Sequence, residues 1–149
     1  HERSNTRLLR ERLLVDRAAE ATYVPLYAPA ETPEEVLDEL AEAIKPEMPI
    51  SILLLGMGAD MHTASLFPGA DKLAEALDRR TPPLMAMRAP GAPEPRITLT
   101  APVLQSAMTT HIVITGDEKR VALEAARRKK PIEAPVAAVL GNATVHWAE

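Results

Sequence analysis

Ile50-Ser51-Ile52-Leu53-Leu54-Leu55-Gly56-Met57-Gly58 is the stretch whose reading decides the fold. It is nearly continuous in apolar side chains, short, and closed by glycine, which predicts a central parallel strand covered on both faces. His111-Ile112-Val113-Ile114-Thr115 repeats the pattern; Gly116 and a predicted helix from about Asp117 to Lys129 follow it. Between the two runs lie a predicted helix over Asp71 to Arg80, a strand over Leu84 to Met87, a Pro and Gly loop from Ala89 to Pro95, and the extended Arg96-Ile97-Thr98-Leu99-Thr100. Thr100 can cap a short helix through Ala107. Val136 to Leu140 and Thr144 to Trp147 read as two closing strands around Gly141-Asn142.

Upstream, Ser4 or Asn5 can cap a helix through about Glu20 with Leu8, Leu9, Leu13 and Val15 as its apolar stripe. Tyr23 to Tyr27 reads as a short strand. Thr32-Pro33-Glu34-Glu35 is a helix start with Pro at the first position and Glu35 as the reciprocal half of a capping box, predicting a helix to about Lys45 that buries Val36, Leu37, Leu40 and Ile44. Strands alternating with helices mean an α/β fold with a mainly parallel sheet flanked by helices, and such a sheet places its ligand at the carboxyl ends of its strands.

The chain has 149 residues, enough for one domain, and a formal net charge of −4. An acidic balance argues against non-specific binding to nucleic acid or an acidic membrane surface. With no cysteine, a disulfide framework, a thiolate metal site and a cysteine nucleophile are excluded. No stretch reaches roughly 18 consecutive apolar residues, and His1-Glu2-Arg3-Ser4-Asn5 lacks the plan of a signal peptide. The expectation is a soluble, cytoplasmic protein.

Chemistry concentrates in Gly56-Met57-Gly58-Ala59-Asp60-Met61-His62-Thr63-Ala64-Ser65, directly after the most apolar strand. Gly56 and Gly58 let backbone N–H groups approach a ligand. His62 can exchange a proton near neutral pH, and Asp60 is near enough in sequence to orient it or to hold a substrate hydroxyl. Thr63 and Ser65 add hydroxyls, and their amides can begin a helix whose positive end faces an anion. A dinucleotide fingerprint fits poorly, because Met61 stands where its third glycine belongs. A hydrolase triad of Ser65, His62 and Asp60 lacks the G-x-S-x-G elbow. The other histidines, His1, His111 and His146, are scattered and form no metal-ligand spacing, so no catalytic metal is expected. Arg96 and Lys119 are cations near predicted strand ends that can reach a phosphate. Arg127-Arg128-Lys129-Lys130 is explained by the dipole of the helix it closes.

The loop Gly56-Met57-Gly58-Ala59-Asp60-Met61-His62-Thr63-Ala64-Ser65-Leu66-Phe67-Pro68-Gly69 strongly resembles the 6-phosphogluconolactonases. Ser4-Asn5, Arg96-Ile97-Thr98-Leu99-Thr100, Thr115-Gly116 with Lys119, and Val145-His146-Trp147-Ala148 also look like that family, in its order, so the resemblance spans essentially the whole chain. Glucosamine-6-phosphate deaminases share the fold and a related loop, but theirs continues differently from Thr63 to Pro68.

The resemblance implies a Rossmann-like α/β domain of the sugar-phosphate isomerase and lactonase type. It implies hydrolysis of 6-phospho-D-glucono-1,5-lactone to 6-phosphogluconate in the pentose phosphate pathway, without metal or other cofactor, by a monomer or homodimer. Carried over by motif, His62 is the general base, Asp60 positions His62 or the sugar, Arg96 and Lys119 contact the phosphate, and Gly56, Gly58, Thr63 and Ser65 line the substrate. The alternatives are a glucosamine-6-phosphate deaminase-like enzyme and a non-catalytic sugar-phosphate-binding fragment. Two departures stand out. Met61 replaces a glycine common in the family, and the family's upstream Gly-Gly-Ser-Thr phosphate loop has no counterpart here. The expectation is therefore that residues 1–149 form the carboxyl-terminal two thirds of the family domain, with sheet edges left to be covered by another chain or by rearrangement.

Overall fold

The structure, a computed structural model, describes residues 5–149. Its centre is a parallel sheet of β1 (Ile52–Gly56), β4 (Thr109–Thr115) and β5 (Ala143–Ala148), in the order β1-β4-β5. Leu54 pairs with His111 and Gly56 with Val113, while Val113 pairs on its other side with His146. α5 (Asp117–Ala126) makes the crossover from β4 to β5 and buries Ala122, Leu123 and Ala126 against Ile112 and Ile114. Leu53, Leu55, Val145 and Trp147 join the same cluster, so one face of the sheet carries the main core.

The other face departs from expectation. Ile52 is 71% exposed, Leu54 68% and Val113 46%, and β1 is an edge strand rather than a central one. A run of apolar side chains signals burial on both faces, yet among the described residues only one face has a layer to meet. On the bare face His111 and His146, which look scattered in sequence, come together with Nδ1 and Nε2 2.9 Å apart. Parallel pairing places residues far apart in the chain on one side of neighbouring strands.

β2 (Leu84–Ala89) and β3 (Ala92–Leu99) do not enter that sheet but pair with each other as an antiparallel hairpin. The predicted loop over Ala89 to Pro95 is mostly strand. Its prolines, which cannot donate to a ladder, fall where the register shifts between Met87 and Ala89. One face of the hairpin gives Met85 and Met87 to the main core; the other gives Leu84, with Ile97 and Leu99, to a second cluster around Val36, Leu40 and Ile44. The last three come from a 3-10 turn, Pro33–Val36, and α2 (Leu37–Ile44). The predicted start holds: Glu35 accepts from the Thr32 backbone N–H at 3.0 Å and from its hydroxyl at 2.9 Å.

This second layer is pinned by a charged clamp. Arg88 donates to both carboxylate oxygens of Glu34, at 2.7 and 3.0 Å, with Asp71 and Lys72 alongside. The guanidinium lowers the Glu34 carboxyl from 4.5 to about 2.

Several predicted elements shrink or change type. The first helix, α1, is Asn5–Arg12, followed by a 3-10 turn at Asp16–Ala18, with Leu8 and Leu13 exposed rather than striped against a core; Ser4 lies outside the described residues. Tyr23 to Tyr27 is irregular, because Pro25 interrupts its ladder donors, although Val24 and Leu26 still pack on the second cluster. The helix after Asp71 is one turn, α3 (Leu73–Ala76), and the helix capped by Thr100 is α4 (Ala101–Gln105). Val136 to Leu140 is not a strand: Pro135–Ala138 forms a buried 3-10 turn, with Pro135 fixing its first φ.

Candidate active site

Because β1 and β4 run parallel, the loop after Gly56 and the turn at Gly116 meet at the same edge of the sheet. The loop closes on itself. Gly58 N–H donates to the His62 carbonyl at 3.1 Å, and Met61 N–H donates to the Gly58 carbonyl at 2.9 Å. A Cβ on Gly58 would run into the His62 ring and the Asp60 carboxylate, so any other residue there must displace that pair. Met61 and Ala64 adopt positive φ, 69° and 51°, so the departure from glycine at Met61 carries backbone strain within the loop.

Three anchors hold that strained turn. Thr63 donates its hydroxyl to the Gly56 carbonyl at 2.9 Å, Ser65 N–H donates to Thr98 Oγ1 at 3.1 Å, and Val136 N–H donates to the Met61 carbonyl at 3.1 Å. Thr63 is fully buried, so its hydroxyl faces the fold and not a ligand. No helix begins at Thr63 or Ser65. Left-handed Ala64 and the following Pro68 disfavour one there, and the chain turns back through a Thr63–Leu66 bridge.

Asp60 Oδ1 accepts from the His62 backbone N–H at 3.2 Å and meets Nδ1 of its ring at 2.6 Å. An ionised carboxylate only accepts, so opposite it Nδ1 carries the hydrogen, and in the neutral ring Nε2 then keeps its lone pair. His62 is 31% exposed, which leaves that nitrogen within reach of a ligand. The ring also stacks on Phe67, centroid to centroid 4.2 Å at 25°. A recess of about 400 Å³ opens beside it, lined by Gly56, Gly58 and His62 of the loop and by Lys119. Lys119 reaches it from the first turn of α5, which Gly116 enters at φ 83°. Ala148 and Trp147 of β5 hold that turn: Gly116 N–H donates to the Ala148 carbonyl at 2.9 Å, and the Trp147 indole N–H donates to the Gly116 carbonyl at 3.0 Å.

The structure thus brings together His62, Asp60, Gly56, Gly58 and Lys119. Ser65 is half-buried beside the loop. Arg96 does not line the recess; it lies on β3 on the same face as Thr98, whose hydroxyl meets Ser65, and its Nε is buried with no hydrogen-bond partner among the described residues. Phe67 and Trp147 belong to segments that carry the family resemblance, but their support of the site, like that of Val136, is visible only in the fold. Among the described residues no group of three or more His, Cys, Asp or Glu side chains is placed to hold a metal, and no helix is long and apolar enough to cross a membrane.

The family described as glucosamine-6-phosphate isomerases/6-phosphogluconolactonase matches residues 1–147. The chain belongs to this family. It is similar to the 6-phosphogluconolactonase of Rhizobium meliloti (strain 1021), with 42% identity over 157 residues, covering 99% of this chain and 67% of that protein. The 6-phosphogluconolactonase of Pseudomonas aeruginosa is 41% identical, over 99% of this chain and 63% of its own length. The crystal structure of a 6-phosphogluconolactonase from Shewanella baltica OS155 superposes on all of this chain with a TM-score of 0.94 at 30% identity, using 66% of that structure. A monomeric glucosamine-6-phosphate deaminase shares the fold, with a TM-score of 0.62 at 16% identity over 79% of this chain and 53% of its own. The chain spans between 63% and 67% of the length of the two lactonases matched by sequence.

Proposed function

We propose that this site hydrolyses 6-phospho-D-glucono-1,5-lactone to 6-phosphogluconate. The observation that carries the reading is the Asp60–His62 pair, which leaves a basic Nε2 at the mouth of a recess that also holds a lysine. Nε2 takes a proton from water as the oxygen attacks the lactone carbonyl, and returns it to the ring oxygen as the C–O bond breaks. Asp60 fixes the tautomer that makes this possible and faces the positive charge that develops on the ring. Lys119 is a fixed cation for the substrate phosphate. Arg96, with its unpartnered Nε, is a second, reached from the hairpin side. Holding the phosphate orients the carbonyl at the other end of the sugar.

Gly56 and Gly58 offer close backbone approach. Ser65 keeps a hydroxyl for the sugar, whereas Thr63 contributes by fixing Gly56. We place residues 1–149 as the carboxyl-terminal two thirds of the family domain, a reading supported by the bare sheet face and by the greater length of the relatives. A small sugar-phosphate lactone is the partner, and the setting is the cytoplasm.

The test is proton release from freshly prepared lactone by the purified chain, against the spontaneous rate and against His62→Asn. Hydrolysis that disappears with His62 is the expected result. Excess hydrolysis that survives in His62→Asn overturns the role of His62. Ammonia release from glucosamine 6-phosphate would favour the deaminase alternative. Calorimetric binding of 6-phosphogluconate without turnover would favour a binding fragment.

A further inference from the structure

We infer that Phe67 is a positioning residue for His62: its ring sets the plane in which Nε2 points, and it transmits the position of the β2–β3 hairpin to the site. The inference rests on the proposed role of His62 as the base.

Phe67 is the sole phenylalanine of the chain, and it is only 7% exposed, yet it belongs to neither apolar cluster. A large side chain removed from water without joining a core is accounted for by its own neighbours. On one side that neighbour is the His62 ring, in a near-parallel stack at 4.2 Å. On the other it is the hairpin turn, where a Cβ on Gly91 would sit 4.0 Å from Phe67 Cδ1.

Asp60 accepts from the His62 backbone N–H but grips its ring at one atom, Nδ1. A hydrogen bond at one atom fixes a distance but leaves the ring free to tilt about that contact. A flat surface against the face of the ring removes this tilt, so the edge contact and the face contact together define the direction of Nε2. Catalytic proton transfer depends on that direction, and a misplacement of about 1 Å can cost on the order of a hundredfold in rate. An aromatic face is also suited to the step itself, because it attracts the positive charge the ring gains on accepting a proton.

The backbone around Phe67 is strapped to the hairpin. Ser65 N–H bonds Thr98 of β3, Ala70 N–H donates to the Phe67 carbonyl at 3.1 Å, and Asp71 N–H donates to the Arg88 carbonyl of β2 at 3.0 Å. A shift of the hairpin therefore moves the surface on which His62 rests.

The experiment compares Phe67→Leu and Phe67→Met, which keep apolar bulk without a ring, with Phe67→Tyr, which keeps the ring. Lactone hydrolysis is resolved into kcat and KM, and the His62 ring protons are followed by NMR in the same full chains. The expected result is a kcat lowered roughly two- to tenfold in the two aliphatic variants with KM changed less than about twofold, and kcat restored in Phe67→Tyr. The His62 ring protons lose their ring-current displacement in the aliphatic variants and keep it in Phe67→Tyr. Unchanged kcat in a folded aliphatic variant overturns the inference, as does a tyrosine variant as slow as leucine, which would make packing volume the cause. Should the unsubstituted chain turn over no lactone, the lactonase reading fails while the NMR comparison still decides: His62 signals indifferent to loss of the ring overturn the stack.

Discussion

The two faces of the parallel sheet are built from the same strands and have opposite fates. Alternate residues of β1 go to the core, Leu53 and Leu55 at 7% and 8% exposed, or to open surface, Ile52 and Leu54. The covered face is where the fold is held together and where the loop is rooted, since Met57, Thr63 and Leu66 are all buried on leaving β1. The bare face is equally apolar in sequence but has no layer among the described residues. Strand composition therefore records the environment for which a strand is suited, while burial records which layers are present.

Truncation on the covered side should have the largest effect. Ile112 is fully buried between β1, β5 and α5, and Ile112→Ala should destabilise the chain by about 2–5 kcal/mol through lost transfer energy and the cavity left behind. Chemical denaturation read by circular dichroism checks it. A loss under 1 kcal/mol would mean that the covered face is far less tightly packed than its burial indicates.

Gly58→Ala comes next, because it tests whether the loop's geometry depends on space. The added methyl would be driven into the His62 ring and the Asp60 carboxylate. The expected cost is about 1–3 kcal/mol of stability, as in other overpacked sites, together with loss of the lactone hydrolysis attributed to His62. A variant with full activity would show that the Asp60–His62 contact is not needed in the form seen here.

Much of this was legible in the sequence, for identifiable reasons. β1, β4 and β5 are short apolar runs, the first two closed by glycine, and the crossover helix starts where Gly116 permits. His62 and Asp60 stand out because they follow the most apolar strand. What was not legible depends on pairing. A buried run cannot announce that one of its faces lacks a partner, so the exposure of Ile52 and Leu54 was hidden. The pairing of the hairpin was hidden because prolines at 93 and 95 disguise the first half of β3 as a loop and leave only its second half, from Arg96, legible as extended chain. His111 and His146 meet only through strand register, and Phe67 gains its place beside His62 only when the chain turns back at Ala64.

A smaller effect is expected at the clamp between the hairpin and the turn before α2. Glu34 has its folded carboxyl lowered to about 2 from 4.5, so it contributes stability above pH 4.5 that is lost as the pH falls through 2. Both partners are more than a third exposed, which keeps the contribution within the small range of solvent-screened pairs. Melting temperatures of wild type and Glu34→Gln should differ modestly at pH 6 and converge as the solution is acidified towards pH 2. A gap as wide at pH 2 as at pH 6 would assign the difference to something other than the ion pair with Arg88.

The smallest effect belongs to the bare face, and it is the sharpest test of the comparison. Ile52→Thr keeps a β-branched side chain, and therefore much of the strand preference, while replacing the ethyl arm with a hydroxyl. At a position 71% exposed little apolar area is removed from water, so the change in stability of the isolated chain should fall within about 0.5 kcal/mol. Solubility is the quantity that should respond, because an edge strand with apolar residues on an open face invites pairing with other chains. Light scattering at increasing concentration should show less association for Ile52→Thr than for wild type, with an unchanged denaturation midpoint. If the midpoint instead falls as far as it does for Ile112→Ala, Ile52 is covered in solution, and the difference between the two faces belongs to the separated chain alone.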